Sequence, residues 1–322
     1  MPAAHRSSLS RSRFSVPLPP PAPRLNRGRV WAPALLTCLL MAAGMARGGP
    51  IRIADDRQQT LELPRPALRI VSLQPSLTET VCALGACDRL VGVDRHSNWP
   101  AAVRQLPQVG SLAEANIERI VALKPDLVLL RPRNRVAERL EALGIKVLAL
   151  DARTHADMRR HMELVAQAIG QPGAGEALWR RTDAALDAAK ARVPAAWKGR
   201  RVYFELHGGA AAASEASFIG ETLTRLGLRN VVPAQLGLYP KLGPEYVVRA
   251  DPDLLITHAG RGAPPPAARP GWGAIPALRA GRLCRIGETH FDVLVRAGPR
   301  IDEAAMEILA CLESVDRRAH LE

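Results

Sequence analysis

A histidine and a tryptophan lie close together in the segment "DRHSNWP", residues 94–100. The imidazole of His96 can coordinate a metal ion or exchange hydrogen bonds, and the indole of Trp99 can pack against a flat ligand. Each side chain also has a purely structural explanation, because His96 can be hydrogen-bonded within its loop and Trp99 can belong to the core. The place of this segment in the fold decides between the two roles.

Motifs typical of α/β enzymes are absent from the sequence. The chain contains no G-x-S-x-G, so "HGGA" at 207–210 lacks the nucleophile that a hydrolase of this type needs. It also contains no HExxH, no G-x-x-x-x-G-K-[ST] and no GxGxxG after its first predicted strand. These absences favour a binding protein; the alternative is an exported α/β enzyme that uses His207 and Asp292.

Short apolar runs alternate along the chain with segments of helical length and spacing. This alternation predicts an α/β fold with parallel sheets and helices on their faces. The runs predicted to be strands cover 69–73, 89–93, 126–130 and 146–150 in the first half, and 201–206, 253–257 and 283–286 in the second.

The loops that follow these strands hold the candidate ligand-binding side chains. Ligands of parallel sheets bind outside the carboxyl ends of the strands, so the loops are predicted to line one cleft. On this ground we select Ser76, His96, Trp99, His207 and Asp292, all expected in loops. Arg131, Arg133 and Arg135 follow another strand, where we expect a solvated rim; the alternative is contact with an anionic edge of the ligand.

One long amphipathic helix is predicted over 173–193. Its apolar residues form a narrow stripe, glycines and a proline cluster just before it, and Pro194 follows it. We interpret this helix as the link between two lobes. The predicted parts of the chain are an N-terminal lobe at 65–171, a linking helix at 172–195 and a C-terminal lobe at 200–314.

The sequence contains an internal repeat. "ERIVALKPDLVLL" at 118–130 aligns without a gap with "EYVVRADPDLLIT" at 245–257. Repeated helix-turn-strand units predict two lobes of the same design. Glu118 and Glu245 open the two copies, and the helix dipole favours a carboxylate at that position, which is the ordinary explanation. The alternative is a pair of equivalent acidic groups that face a partner with two-fold symmetry.

The first 46 residues differ in composition from the remainder of the 322-residue chain. They contain six arginines and no acidic residue, and they end in the apolar run "VWAPALLTCLLMAAGMA" at 30–46. This order predicts a secretory signal peptide over 1–46, with an uncleaved anchor as the alternative. The net charge of +13 is otherwise spread along the chain, and no basic and aromatic stripe indicates nucleic-acid binding.

Four cysteines follow the predicted signal peptide. Export permits disulfides, and Cys82 and Cys87 lie five positions apart at the end of a predicted helix, so a local disulfide is predicted. The alternative is that both are small buried hydrophobic residues. The Cys and His spacing of a structural zinc site is absent.

Three segments resemble the solute-binding proteins of ABC importers for cobalamin, haem and ferric siderophores. They are "RIVSLQPSLTETVCALGACDRLVGVDRHSNWP", "LPQVGSLAEANIERIVALKPDLVLL" and "LEALGIKVLALD", and the resemblance covers about residues 65–314. It is strongest to the periplasmic cobalamin-binding branch. It implies two Rossmann-like lobes bridged by one long helix, and a periplasmic monomer without cofactor or enzymatic activity. It also implies a partner, an inner-membrane permease dimer that receives the ligand.

The resemblance implies roles for single residues as well. Glu118 and Glu245 match the two surface glutamates that dock onto basic residues of the permease. Tyr239 matches a pocket Trp, Asp292 matches an Asp near the ligand, and His96 matches a pocket Tyr. These matches place His96 and Asp292 at the ligand, in agreement with the rule of strand ends.

Within this family, the same residues are compatible with cobalamin and with haem or a ferric siderophore as the ligand. Leu112 stands where the family has a first-lobe aromatic, and a cleft with few aromatic groups grips a corrin less well. A histidine at position 96 can coordinate cobalt or haem iron. We therefore predict cobalamin as the transported ligand, with haem or a ferric siderophore as the alternative and His96 as a candidate axial ligand.

Overall fold

The computed structural model describes residues 49–111, 113–132, 135–206, 211–260 and 265–319. They belong to one compact body that begins at Gly49. The predicted signal peptide and the candidate ligand-binding residue His207 lie outside the described residues, as do Leu112 and Arg133. In the described part of the chain, no helix combines the length and apolarity needed to cross a bilayer.

The first half of the described chain contains a two-stranded hairpin and a four-stranded parallel sheet of order β4-β3-β5-β6. Its elements are β1 (Ile51–Ala54), β2 (Thr60–Leu63), β3 (Ile70–Ser72), α1 (Pro75–Ala83), β4 (Leu90–Val93), α2 (Ile117–Ala122), β5 (Leu127–Leu130), α3 (Val136–Ala142), β6 (Val147–Ala149) and α4 (His155–Ala168). The four strands predicted here are therefore confirmed.

The second half contains a four-stranded parallel sheet of order β8-β7-β9-β10. Its elements are α5 (Ala174–Arg192), β7 (Arg201–Phe204), α6 (Phe218–Arg225), β8 (Arg229–Asn230), α7 (Pro244–Ala250), β9 (Leu254–His258), α8 (Pro276–Arg279), β10 (Leu283–Ile286), α9 (Glu288–Leu294) and α10 (Ile301–Ala319). The three strands predicted in this half are confirmed, and β8 is additional.

Burial on both faces explains why these short runs form strands. All four residues of β5 are buried. Leu127 and Leu129 pack into the core on one side of the sheet, and Val128 and Leu130 pack into the core on the other. A parallel sheet covered on both faces therefore selects continuous apolar runs, which is the pattern read from the sequence.

The two sheets share one topology, as the internal repeat predicts. In each, the first strand along the chain lies between the second and the third. Lys124 and Asp251, at equivalent positions of the repeat, both adopt a positive φ, of 48° and 42°. The carboxylates of Asp126 and Asp253 each accept a backbone N–H at the start of the neighbouring strand, over 3.1 and 2.8 Å. The repeated Pro-Asp turn thus joins adjacent strands.

The helix α5 connects the two sheets along the chain and packs against α4 from one half and α6 and α10 from the other. It begins after Gly173, which has a φ of 85°, and it ends before Pro194. The buried side of its predicted stripe consists of Leu178, Thr182, Leu186 and Ala189. The predicted α/β fold with two parallel sheets and one long linking helix is confirmed, while the predicted lobe boundaries at 65–171 and 200–314 stay predictions.

The hairpin β1–β2 is absent from the sequence-based prediction, and it covers the edge strand β6. The Asp56 amide donates to the Ala149 carbonyl over 3.0 Å, and the Ala149 amide donates to the Asp55 carboxylate over 3.4 Å. Covering an edge strand protects unpaired backbone groups from pairing with other chains. These two strands are buried on one face at most, so they lack the continuous apolar run that identified the other strands.

The segment "GETHFD" at 287–292 is helical, and the prediction of a loop there was wrong. Gly287 is the N-cap of α9, so Asp292 and His290 project from a helix. The helix forms because Phe291, buried with the two apolar residues that follow Asp292, anchors it in the core. Tertiary packing, and not local propensity, stabilises a helix this short.

Two pairs of cysteines are joined by disulfides. Cys82, in the last turn of α1, pairs with Cys87 in the turn that follows, and this is the pair named from the sequence. Cys284 of β10 pairs with Cys311 of α10, which lies 27 positions further along the chain. The second disulfide fastens the C-terminal helix to an edge strand, and no local spacing indicates it.

We expect loss of the Cys284–Cys311 disulfide to destabilise the protein more than loss of the Cys82–Cys87 disulfide. A cross-link over 27 positions restricts the unfolded chain more than one over 5 positions. The expected decreases in the free energy of unfolding are about 4 and about 2 kcal/mol. Urea titrations of the two double Cys→Ser variants measure them, and equal decreases would contradict this expectation.

Candidate ligand-binding cleft

A cavity of about 740 Å³, called the cleft below, opens at the carboxyl ends of both sheets. One wall comes from the segments that follow β3, β4, β5 and β6, and the other from those that follow β7 and α9 and from the start of α6. Its hydrogen-bonding side chains include Gln74, Ser76, His96, Arg131, Tyr239 and Arg296. This volume is in the range of small-molecule sites.

The structure brings half of the sequence-selected ligand-binding residues into the cleft. The residues that line it are Ser76, His96 and Tyr239. Trp99 and Asp292 are not among the described lining residues, although Asp292 accepts a hydrogen bond from the lining residue Arg296. His207 lies outside the residues that the structure describes.

The loop after β4 is shaped by the buried carboxylate of Asp94. This carboxylate accepts the His96 amide over 3.0 Å and the Ser97 hydroxyl. The Ser97 hydroxyl also lies 2.8 Å from that of Thr78 on α1. Burial raises the pKa of Asp94, and the two hydrogen bonds oppose the rise. The turn leaves the imidazole of His96 exposed at the cleft, with its Nε2 3.3 Å from Nε of Arg95.

Arg296, which follows α9, joins the two walls of the cleft. It donates to Glu79 of α1 over 2.8 Å, to Asn98 Oδ1 over 2.9 Å and to the His96 carbonyl over 3.1 Å. It also donates to Asp292 one helical turn earlier, over 2.7 Å. Because these acceptors come from both halves of the chain, Arg296 holds the loop that carries His96 against the opposite wall.

The partner of Arg296 on α1 is a buried carboxylate. Glu79 is 1% exposed and also lies 3.6 Å from Arg300. Burial raises the pKa of Glu79, and the hydrogen bond and charge of Arg296 oppose the rise. Arg300 in turn packs over the ring of Trp99, 4.4 Å from its centre. Trp99 is half-buried and belongs to none of the described core clusters, so its role at the ligand stays a prediction.

Two further lining residues bring hydrogen-bonding groups to the cleft. Arg131 lines it, where the sequence indicated a solvated rim, and its Nε donates to Asp151 over 2.8 Å. Gln74, the N-cap of α1, donates from Nε2 to the Ser76 hydroxyl over 2.9 Å. Its Oε1 is buried without a partner among the described residues, so a ligand N–H or O–H can satisfy it.

The two repeated glutamates occupy equivalent places in the two halves. Glu118 lies in the first turn of α2, where Asn116 is the cap and accepts the Arg119 amide over 2.8 Å. Glu245 lies in the first turn of α7, next to Pro244. Both side chains are exposed, and neither forms a salt bridge with another described residue. Both carboxylates lie where the helix dipole favours them, so the ordinary explanation and the docking role both stay open.

Sequence reasoning missed Gln74, Arg296 and Glu79. Gln74 lies two positions before the selected Ser76 at the same strand end, so the rule that selected one could have selected both. Arg296 and Glu79 are 217 positions apart, and neither follows a strand. No local pattern could have indicated that they meet.

Known proteins share this architecture. Residues 70–289 match the family model described as "Periplasmic binding protein". The "Uncharacterized ABC transporter substrate-binding lipoprotein YvrC" of Bacillus subtilis (strain 168) is 28% identical over 307 residues, which are 88% of this chain and 96% of that protein. The vitamin B12-binding protein of Vibrio parahaemolyticus serotype O3:K6 is 27% identical over 256 residues, with coverages of 79% and 92%.

A solved structure extends the comparison to three dimensions. The periplasmic heme-binding protein BhuT, in complex with two hemes, is 31% identical, with a TM-score of 0.65 and coverage of 77% of this chain and 98% of that one. Vitamin B12 is the ligand in the name of the Vibrio protein, and heme is the ligand in the name of BhuT. Because the family model runs from β3 to α9, the match includes both sheets and most of the cleft.

Proposed function

Because the chain belongs to the periplasmic binding protein family, we propose that it captures cobalamin in the cleft and delivers it to an inner-membrane ABC permease. The observation that carries this proposal is the cleft itself, about 740 Å³ between the ligand-binding ends of two parallel sheets. The resemblance to vitamin B12-binding relatives supports cobalamin as the cargo.

The lining of the cleft suits a ligand with acceptor oxygens at its edge. Arg95 and Arg131 bring guanidinium donors, whereas both Nη atoms of Arg296 already donate to protein acceptors. Asp94 is the one acidic residue among the described lining residues. The rings of Phe218 and Tyr239 belong to the same lining and offer apolar surface to a flat ligand. The amide carbonyls and phosphate at the edge of cobalamin match such donors, and its corrin matches the rings.

Haem is the second candidate, and the position of His96 favours it. The exposed imidazole lies at the cleft, where it can bond iron, and Tyr239 lines the same space with a phenol that can also ligate haem. Guanidinium groups pair well with carboxylates such as those of haem. A ferric siderophore, rich in oxygen, needs similar donors.

The proposal includes the partner, the place of action and the absence of turnover. Glu118 and Glu245 are the proposed contacts with the permease dimer, and 1–46 is the proposed signal peptide of an exported monomer. We propose binding without catalysis, since the Asp292 carboxylate of the enzyme alternative is held by Arg296 and by Asn98 over 2.7 and 3.2 Å. Chemical conversion of any bound ligand would contradict this part.

Titration with three ligands tests the proposed function. Purified protein without the predicted signal peptide is mixed with cyanocobalamin, haemin or a ferric hydroxamate, and binding is followed by calorimetry and visible absorption. We expect cyanocobalamin to bind with one molecule per chain. Binding of haemin without any corrinoid would replace the first candidate by the second, and binding of none of the three would contradict the proposed function.

We expect His96→Ala to weaken binding of cyanocobalamin about tenfold, because the variant removes a side chain exposed at the cleft. If His96 bonds the metal, the variant also changes the visible spectrum of the complex. His290→Ala is a matched control, since His290 is exposed, is not among the lining residues and pairs with Glu307. An unchanged affinity of His96→Ala would remove His96 from the site.

A further inference from the structure

A chain of hydrogen bonds runs from the hairpin β1–β2 to the cleft. Nε of Arg131, at the cleft, donates to Asp151 Oδ1 over 2.8 Å. The amide of Asp151 donates to Asp56 Oδ2 over 2.6 Å. Asp56 lies in the turn that follows β1. One carboxylate therefore separates the tip of the hairpin from a guanidinium that a ligand can reach.

The two carboxylates joined by these hydrogen bonds are shielded from solvent. The side chain of Asp151 is 6% exposed and that of Asp56 is 12% exposed. Asp56 also accepts from Arg160 over 2.7 Å and from His161 over 2.9 Å. Burial alone would raise the pKa of Asp56, but the hydrogen bonds from His161, the Asp151 amide and Arg160 outweigh it and lower the pKa below its usual range. Asp56 is thus an anion at neutral pH.

This arrangement restricts the side chain of Arg131, at the end of β5, before a ligand binds. An arginine side chain loses rotamer freedom when it is fixed, and that entropy cost falls on ligand binding unless the protein fixes the side chain first. The side chain of Arg131 is 33% exposed, so packing alone does not hold it. Asp151 Oδ1 lies 2.8 Å from Nε and 2.5 Å from Nη2 of Arg131, and the Nη1 side of the guanidinium is left for a ligand.

We propose that Asp151 and Asp56 are positioning residues for ligand binding, which aim the Arg131 guanidinium into the cleft and make the β1–β2 hairpin part of the binding site. The proposal rests on the proposed function, because it takes the cleft to be the place where the ligand binds. It assigns Arg131 to the acceptor oxygens of that ligand. It also gives the hairpin a role beyond covering the edge strand.

The hairpin has a second anchor, which does not involve the hydrogen bonds between Asp56, Asp151 and Arg131. Arg57 bonds Asp55 and reaches Glu141 of α3 over 2.8 Å. Glu141→Gln therefore weakens the attachment of the hairpin while leaving Asp56, Asp151 and Arg131 in place. This variant is the matched control, because it makes the same change from carboxylate to amide at a residue outside these hydrogen bonds.

Affinity measurements in two backgrounds test the proposal. Calorimetry with cyanocobalamin and with haemin gives Kd for Asp56→Asn, Asp151→Asn and Glu141→Gln, each made in the natural protein and in Arg131→Ala. We expect both Asp variants to raise Kd about fivefold in the natural background and to change it less than twofold in Arg131→Ala, since residues that act through one partner couple. Glu141→Gln is expected to leave Kd unchanged in both. Equal effects in the two backgrounds would overturn the proposal.

A second measurement does not depend on the ligand. The NMR signal of the Arg131 Nε–H group, identified by its absence in Arg131→Ala, is expected to be protected from solvent exchange in the natural protein and in Glu141→Gln. Protection is expected to fall in Asp151→Asn and in Asp56→Asn. If neither cyanocobalamin nor haemin binds, the proposed function is contradicted, and the NMR measurement still tests whether the two aspartates position Arg131. Unchanged protection in both Asp variants would show that they do not position Arg131.

Discussion

Replacement of Glu118 and Glu245 by lysine is expected to abolish ligand uptake by cells and to leave the affinity of the cleft unchanged. The two side chains occupy equivalent helix starts in the two halves, both are exposed, and neither lines the cleft. A charge reversal at the start of a helix costs about 0.3–1 kcal/mol, so the folded protein persists. A like-charge contact with a basic partner surface costs several kcal/mol, which is enough to prevent docking.

The test separates docking from ligand binding. Uptake of radiolabelled cyanocobalamin is measured in cells that make only the Glu118→Lys/Glu245→Lys protein, and calorimetry gives its affinity for the same ligand. Glu138→Lys is the matched control, because Glu138 is an exposed glutamate in the first turn of α3. We expect the control to sustain uptake and each single reversal to reduce it in part. Normal uptake by the double variant would refute the docking role.

Arg296→Met is expected to lower the free energy of unfolding by about 3 kcal/mol at neutral pH, because it leaves a buried carboxylate without its main partner. Arg296 and Glu79 have side chains that are 10% and 2% exposed and lie 2.8 Å apart. Arg300, 3.6 Å from the same carboxylate, compensates only in part. Methionine keeps the unbranched stem of the arginine side chain up to the position of Nε, so the loss reports on the guanidinium more than on the packing of the stem.

The decrease in the free energy of unfolding caused by Arg296→Met is expected to become larger as the pH rises. The pKa of Glu79 is raised by burial even with Arg296 present, so the folded state holds this proton more tightly than the unfolded state. The associated stability is full below the unfolded pKa, near 4, and is lost as the pH rises through the folded pKa. Without Arg296 the folded pKa rises further, so the difference between variant and natural protein grows from pH 4 to pH 7.

Urea titrations of both proteins between pH 4 and pH 8 measure this difference. The variant Glu79→Gln/Arg296→Met removes the titrating group, and its deficit is expected to stay constant over the same range. A deficit of Arg296→Met that is constant, or that grows toward acid pH, would contradict an uncompensated Glu79. Because Arg296 also bonds the His96 carbonyl over 3.1 Å, weaker binding of cyanocobalamin is expected to accompany the loss of stability.

Local patterns predicted the sheets and one side of the cleft. The apolar runs identified seven of the eight strands in the two parallel sheets. A strand that is buried on both faces needs apolar residues at every position, and such a run is visible in the sequence. The rule that ligands bind at the carboxyl ends of strands then led to Ser76 and His96, which line the cleft. The two-residue strand β8 carries no such signal.

Contacts between distant residues could not be predicted in this way. The helical form of 287–292 depends on Phe291 reaching the core. The disulfide between Cys284 and Cys311 depends on α10 returning to β10. The neighbouring sequence indicates neither this helix nor this disulfide, because each requires a contact with a residue that is distant along the chain.

The sequence by itself thus determined the order of seven strands and of the long linking helix, the repeated design of the two halves and the family to which the chain belongs. These follow from the spacing of apolar residues and from motifs, both of which are local. The tertiary structure alone decided which side chains meet in the cleft. Glu79 and Arg296 are 217 positions apart, and Asp56 reaches Asp151 across 95. Such pairs form because buried charges must find partners, and the fold determines which partners are within reach.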